Sequence, residues 1–199
     1  MTDSIDFFFD FMSPFSYLAH IKLPDLCREY NHSLVYHPMD IPRAKKAAGN
    51  YGPSNREVPA KIKVLMADLD RWASLYDVPM KFPQNLDVTL WNRGVSYAND
   101  KEQIEDYVNA AYARIWGQGC DPQDKTELQQ TAVELDWSSD EFLQFVESST
   151  AKKRFDGACE AAHQRGVFGA PIMMLDDQVW WGNDRLSFVE SYLRTRAEK

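Results

Sequence analysis

Cysteine is scarce in this chain and poorly placed for chemistry. The three present, Cys27, Cys120 and Cys159, lie far apart, are odd in number, and show neither metal-ligand spacing nor a Cys-x-x-Cys pair. They read as reduced structural thiols. Histidine is equally thin: His20, His32, His37 and His163 have no paired spacing, so no metal site is expected and none of the four is assigned to catalysis. Long apolar runs are missing too. Lys and Glu interrupt each run before the roughly 18 residues a membrane span requires, and no cationic segment with a small-residue cleavage site opens the chain. A cytoplasmic, membrane-free protein is expected. Positive charge is in deficit, with 22 Lys and Arg against 30 Asp and Glu, a net −8. Such a field repels nucleic acid and anionic membrane, and an acidic ligand needs a local basic patch.

Apolar content is ample. With 44% hydrophobic and 13% aromatic residues over 199 positions, the chain suits one domain, or one with a large insertion, that buries a substantial core. The Phe-rich run Ile5 to Phe11 reads as a strand covered on both faces, followed by a helix capped by Ser13 with Pro14 in its first turn. Tyr17, Leu18, Ile21, Leu26 and Tyr30 keep helical spacing, with a kink or break expected at Pro24. Ser33 to Met39 is a second strand, and the crossover is long enough for the two to run parallel. From Ile41 to about Gly52 a basic loop is expected, then the turn cluster Gly52-Pro53-Ser54-Asn55-Arg56.

The pattern then becomes helical. Ile62, Leu65, Met66, Leu69, Trp72, Ala73 and Tyr76 share a face; after a proline loop from Val78 to Asp87, helices are expected over Val88–Ala98, Lys101–Trp116, Asp124–Leu135, Ser139–Ser149 and 151–165. Two short strands follow, Ile172–Leu175 and Gln178–Trp181, turned at Asp176-Asp177, and a last helix from near Asp184 runs to the C-terminus. The order is βαβ, helical insert, αββα. This predicts an α/β thioredoxin-like fold with an all-helical domain inserted between its halves: residues 1–40 and 166–199 form the first part, 41–165 the second.

Within that fold Ser13-Pro14-Phe15-Ser16 occupies the place of a Cys-x-x-Cys, with both sulfurs gone. A serine at a helix N-terminus is ordinarily a cap; with the helix dipole it also suits an anion such as a thiolate, whose sulfur must come from outside the chain. Ala170-Pro171, by itself, reads as a strand-initiating trans proline. Trp181-Gly182-Asn183-Asp184 reads as a strand end and an Asx cap, and Arg43, Lys45, Lys46 and Arg56 as solvated surface charge or a carboxylate site.

The segments FDFMSPFSYLA, GNYGPSNR, DLDRWASLY, VFGAP and WWGNDRL resemble the kappa-class glutathione transferase and DsbA-like group. Within it the similarity is strongest to the bacterial 2-hydroxychromene-2-carboxylate isomerases of naphthalene-type aromatic degradation, and it runs through nearly the whole chain. The resemblance implies a homodimer and a glutathione-dependent cis–trans isomerisation, interconverting 2-hydroxychromene-2-carboxylate and trans-o-hydroxybenzylidenepyruvate; a kappa-class-like conjugating transferase is the alternative. It makes Ser13 the catalytic residue. It makes Ala170-Pro171 a cis-proline loop pairing with the cysteinyl backbone of glutathione, and sets Trp181, Gly182, Asn183 and Asp184 around its γ-glutamyl end. Lys45, Asn55 and Arg56 are implied to hold the substrate's carboxylate and 2-oxygen, and Asn85 or Leu86 to touch its ring. Leu86 stands where relatives carry a tyrosine, so a phenol contact is expected to be absent.

Overall fold

The computed structural model describes residues 3–198; Met1, Thr2 and Lys199, which the expected domain limits and last helix include, lie outside the described residues. Strand β1 (Ser4–Phe9) leads into α1 (Pro14–Glu29), and β2 (Ser33–Pro38) returns parallel to β1 in register Phe7 to Tyr36. β3 (Ile172–Leu175) pairs antiparallel with β1, and β4 (Gln178–Trp181) antiparallel with β3, giving the sheet order β2-β1-β3-β4.

Side-chain alternation along β1 builds two cores at once. Ile5, Phe7 and Phe9 point to the face covered by Leu18 and Leu23 of α1 and by Leu186, Val189 and Leu193, whereas Phe8 points to the other face with Met39, Ala162, Ile172 and Met174. Each fully buried Phe contributes about 1.5–3 kcal/mol, which explains a strand that is apolar on both sides.

Between β2 and β3 the described chain is helical: α2 (Ile41–Ala47), a short 3-10 turn Asn55–Glu57, α3 (Pro59–Tyr76), α4 (Thr89–Asp100), α5 (Ile104–Tyr112), α6 (Lys125–Glu134), α7 (Ser139–Glu147) and α8 (Ser149–Gln164); α9 (Leu186–Ala197) closes the chain. Three expectations change. The basic loop begins as a helix, because Asp40 caps α2 by accepting from the Arg43 N–H at 2.8 Å and Pro42 suits a first turn. α1 passes through Pro24 without a break, its residues Leu23, Pro24 and Cys27 being buried, so tertiary packing outweighs the usual proline penalty. The helix expected over Lys101–Trp116 starts at Ile104 and ends in a π-helical turn, Ala113–Gln118, that brings the Trp116 indole N–H to the Phe11 carbonyl at 2.7 Å.

Candidate active site

Ser13 caps α1. Its Oγ accepts from the Ser16 N–H at 3.1 Å, and Pro14 contributes no N–H of its own. The hydroxyl donates to the Ala170 carbonyl at 3.5 Å, a long contact that leaves most of its donor strength unspent. Ser13 is buried but keeps a small exposed area, whereas Ser16 is completely enclosed. Ala170-Pro171 is cis. From there the chain stays close: the Gly182 N–H bonds the Pro171 carbonyl at 3.0 Å, so Trp181, Gly182, Asn183 and Asp184 adjoin the same corner. Gly182 has φ 106, and a Cβ there would meet Asp184 Oδ1 at 2.5 Å, so this turn requires glycine.

Asn183 is buried, takes the Tyr76 hydroxyl of α3 on its Oδ1 at 3.3 Å, and keeps an Nδ2 without a partner among the described residues. Asp184 pairs with Arg185 at 2.6 Å. Trp181 is largely exposed and meets Phe168 edge to face, their centroids 5.0 Å apart.

A second group lies around α2. The Lys45 ammonium donates to the carbonyls of Gly52 at 2.6 Å and Pro53 at 3.1 Å, tethering the loop whose next residues, Asn55 and Arg56, form the exposed 3-10 turn. Two of its three N–H bonds are thereby used and one remains. Asn55 takes the Lys61 ammonium on Oδ1 at 3.4 Å. Arg43 leaves the basic cluster by pairing with Asp156 at 3.1 Å and Glu160 at 3.9 Å on α8.

Leu86 helps line a cleft of about 390 Å³ with Met12, Val88 and Phe155, next to the carboxylates of Asp10, Asp40 and Asp87. Asn85 is turned to Asp121 and the Asp87 N–H, and is not among the residues lining that cleft.

The DsbA-like thioredoxin domain model matches residues 4–194. A 2-hydroxychromene-2-carboxylate isomerase of Sphingobium xenophagum is 55% identical over 193 residues, 97% of this chain and 99% of the relative. A solved structure of a 2-hydroxychromene-2-carboxylate isomerase superposes with a TM-score of 0.93 at 41% identity, covering 96% of this chain and 95% of the other. The chain belongs to the 2-hydroxychromene-2-carboxylate isomerase family, within the DsbA-like thioredoxin fold. More distantly, human glutathione S-transferase kappa 1 is 23% identical over 96% of this chain and 90% of the relative.

The chain's own cysteines are poorly suited to act as thiolates. Burial pushes Cys27 and Cys120 up to about 12 and Cys159 up to about 11, and all three are free.

Two residues that sequence reasoning missed sit beneath the site. Asp10 is buried, its Oδ1 accepting from the Met12 N–H at 3.0 Å and from Asn92 Nδ2 at 2.8 Å, its Oδ2 from the Ile41 N–H at 2.9 Å. Burial drives its carboxyl up to about 6; the three donors hold it back, and Asp40 adds a little to the rise. The signals were a carboxylate between Phe9 and Phe11 and an Asn on the otherwise apolar face of Trp91, Val95 and Ala98.

Proposed function

We propose that this chain is a glutathione-dependent isomerase interconverting 2-hydroxychromene-2-carboxylate and trans-o-hydroxybenzylidenepyruvate in naphthalene-type aromatic degradation, acting as a cytoplasmic homodimer. The observation that carries the reading is the Ser13 hydroxyl: capped on its acceptor side by Ser16, loosely engaged on its donor side, at the positive end of α1.

The residues present fit glutathione. Ser13 offers a donor to sulfur, the half-buried Ala170 peptide beside it suits an extended peptide, and the buried, unpartnered Nδ2 of Asn183 suits an acceptor from the γ-glutamyl end. Bound glutathione supplies a thiol nucleophile whose reversible addition to the conjugated carbon turns the double bond that must rotate into a single bond.

Ser13 stabilises the thiolate through its hydroxyl proton and the helix N-terminus, lowering a thiol pKa from a reference near 8.5 toward neutrality. Lys45 spends its remaining N–H on the substrate carboxylate while its other two hold the Gly52-Pro53 loop, which brings Asn55 and Arg56 to the same anion. Met12 and Leu86 give the ring an apolar wall, and Leu86 offers it no hydroxyl. Asn85, committed to Asp121, contributes to the shape of the loop that bears Leu86.

The test is formation of o-hydroxybenzylidenepyruvate with and without glutathione, with free thiol counted at the end. An isomerase of this kind needs glutathione and returns all of it. Equal rates without glutathione would overturn the reading, and loss of one thiol per turnover would make the chain a conjugating transferase.

A further inference from the structure

Asp10 has no part in the roles above, and a buried carboxylate is a costly way to fill space. Its two oxygens collect N–H donors from three separate pieces of the molecule: Met12 in the turn that leads to Ser13, Ile41 at the first residue of α2, and Asn92 on α4. The Asp10 carbonyl in turn receives the Ser13 N–H at 2.9 Å. We propose that Asp10 is a positioning residue that holds the Ser13 turn in register with α2, the helix that carries Lys45, so that the thiol site and the carboxylate site are presented together. This rests on the isomerase reading of the site.

α2 has seven residues, too few to be stable alone, so its direction depends on how its first turn is anchored. Two carboxylates do that. Asp40 takes the Arg43 N–H and Asp10 takes the Ile41 N–H, and Lys45 lies one turn further along at about 6 Å of rise.

Among the described residues, the charged and titratable groups around Asp10 are Asp40 at the cap of α2, Asp87 across the cleft, Cys159 of α8, and Tyr112 of α5, whose hydroxyl bonds the Asp10 carbonyl at 3.4 Å. Of the three cations of α2, Arg43 turns toward Asp156 and Glu160 and Lys45 toward Gly52 and Pro53, and neither they nor Lys46 contributes to the shift of Asp10. The carboxylate is therefore held by N–H groups. A proton on Oδ2 sets an O–H against the Ile41 N–H, so the anchor is intact above the Asp10 pKa, which burial has raised, and slackens as pH falls through it.

Asp10→Asn keeps the Oδ1 acceptor and places an NH2 against Ile41. At pH 7.5 the KM for the chromene carboxylate should rise about tenfold, the loss of one hydrogen bond to a charged group, while the KM for glutathione stays within about twofold. The rise in wild-type substrate KM on acidification from pH 7 to 5 should vanish in the variant. An unchanged substrate KM, or equal rises in both KM values, overturns the proposal. Ile41→Pro, which removes the same N–H at a position where proline is compatible with a helix start, should reproduce the effect if Asp10→Asn fails to fold.

A readout independent of turnover is nitrogen-15 NMR of the wild type. The backbone N–H groups of Met12 and Ile41 and the Asn92 side-chain amide should titrate with one midpoint; separate midpoints, or none, overturn the tie. A wild type that titrates this way yet shows no glutathione-dependent turnover refutes the isomerase reading and leaves the tie standing.

Discussion

His20 makes the acid stability of this protein readable in one substitution. It lies in α1, 1% exposed, with its ring centroid 6.3 Å from Phe7 and 5.6 Å from each of Tyr36 and Tyr112. Nε2 is 2.8 Å from the amide oxygen of Asn109, so the proton sits on Nε2, and Nδ1 has no partner among the described residues. A second proton would therefore be both a buried charge and an unpaired donor. Burial lowers the pKa from 6.5 to about 4, against a smaller upward pull from Asn109 and Glu105.

A histidine depressed in the folded state contributes stability that is present above its unfolded pKa and lost as pH falls through the folded one. The gap from 6.5 to about 4 is worth about 3 kcal/mol in full, of which about 2 kcal/mol disappears between pH 7 and pH 5. Asp10 works in the opposite direction: raised from 3.8 to about 6, it gives back about 1 kcal/mol over the same interval and so masks roughly half of the His20 loss in the wild type. His20→Phe keeps the aromatic packing and frees Asn109, which is exposed, to bond water. Urea unfolding at both pH values should show the stability difference between wild type and variant shifting by about 2 kcal/mol in the variant's favour at pH 5. A difference that stays constant within about 0.5 kcal/mol refutes the buried neutral histidine.

Ser13→Ala should lower kcat about a hundredfold at saturating glutathione, as when one donor to a developing anion is lost, and turnover at the wild-type rate would dismiss Ser13. Lys45→Met should raise the KM for the carboxylate substrate more than that for glutathione, and the reverse order would move Lys45 to the glutathione side. Gly94→Ala would bring a Cβ to 2.8 Å from Tyr107 Cζ and 2.9 Å from Phe142 Cζ; about 1–3 kcal/mol of destabilisation is expected, seen as a Tm lower by several degrees, and an unchanged Tm would mean that α4 moves aside freely.

Periodicity and punctuation made the frame legible: two-faced Phe runs marked β1, and a Ser-Pro start marked α1. α2 was hidden because its signal, an Asp cap followed by Pro42, stands in a short basic stretch with little apolar periodicity. The π-helical turn was hidden for another reason. Ala113–Gln118 carries no local signal for altered winding, and its tertiary bonds, from the Trp116 indole to the Phe11 carbonyl and from the Lys81 N–H to the Trp116 carbonyl, join it to segments distant in sequence. At the site, Ser13, Ala170 and Trp181–Asp184 converge through backbone contacts that single motifs do not encode. The basic cluster looked stronger in sequence than in space, because Arg43 and two of the three Lys45 donors are spent on the protein itself.

The turn from Asp10 to Ser13 is bonded at nearly every backbone position by the helical insert or by itself. Asn92 takes the Phe11 N–H at 3.3 Å, Trp116 bonds the Phe11 carbonyl, Tyr112 reaches the Asp10 carbonyl, and the Asp10 carboxylate takes the Met12 N–H. Thiol–disulfide exchange needs an attacking sulfur, which this turn lacks. Under the function proposed above, the turn would instead steady a borrowed thiolate, and donors already aimed at the charge need no reorganisation when it forms. The bonds that fix the turn, with that of the Ser13 N–H to the Asp10 carbonyl, fit such a role, the helical insert supplying much of the rigidity.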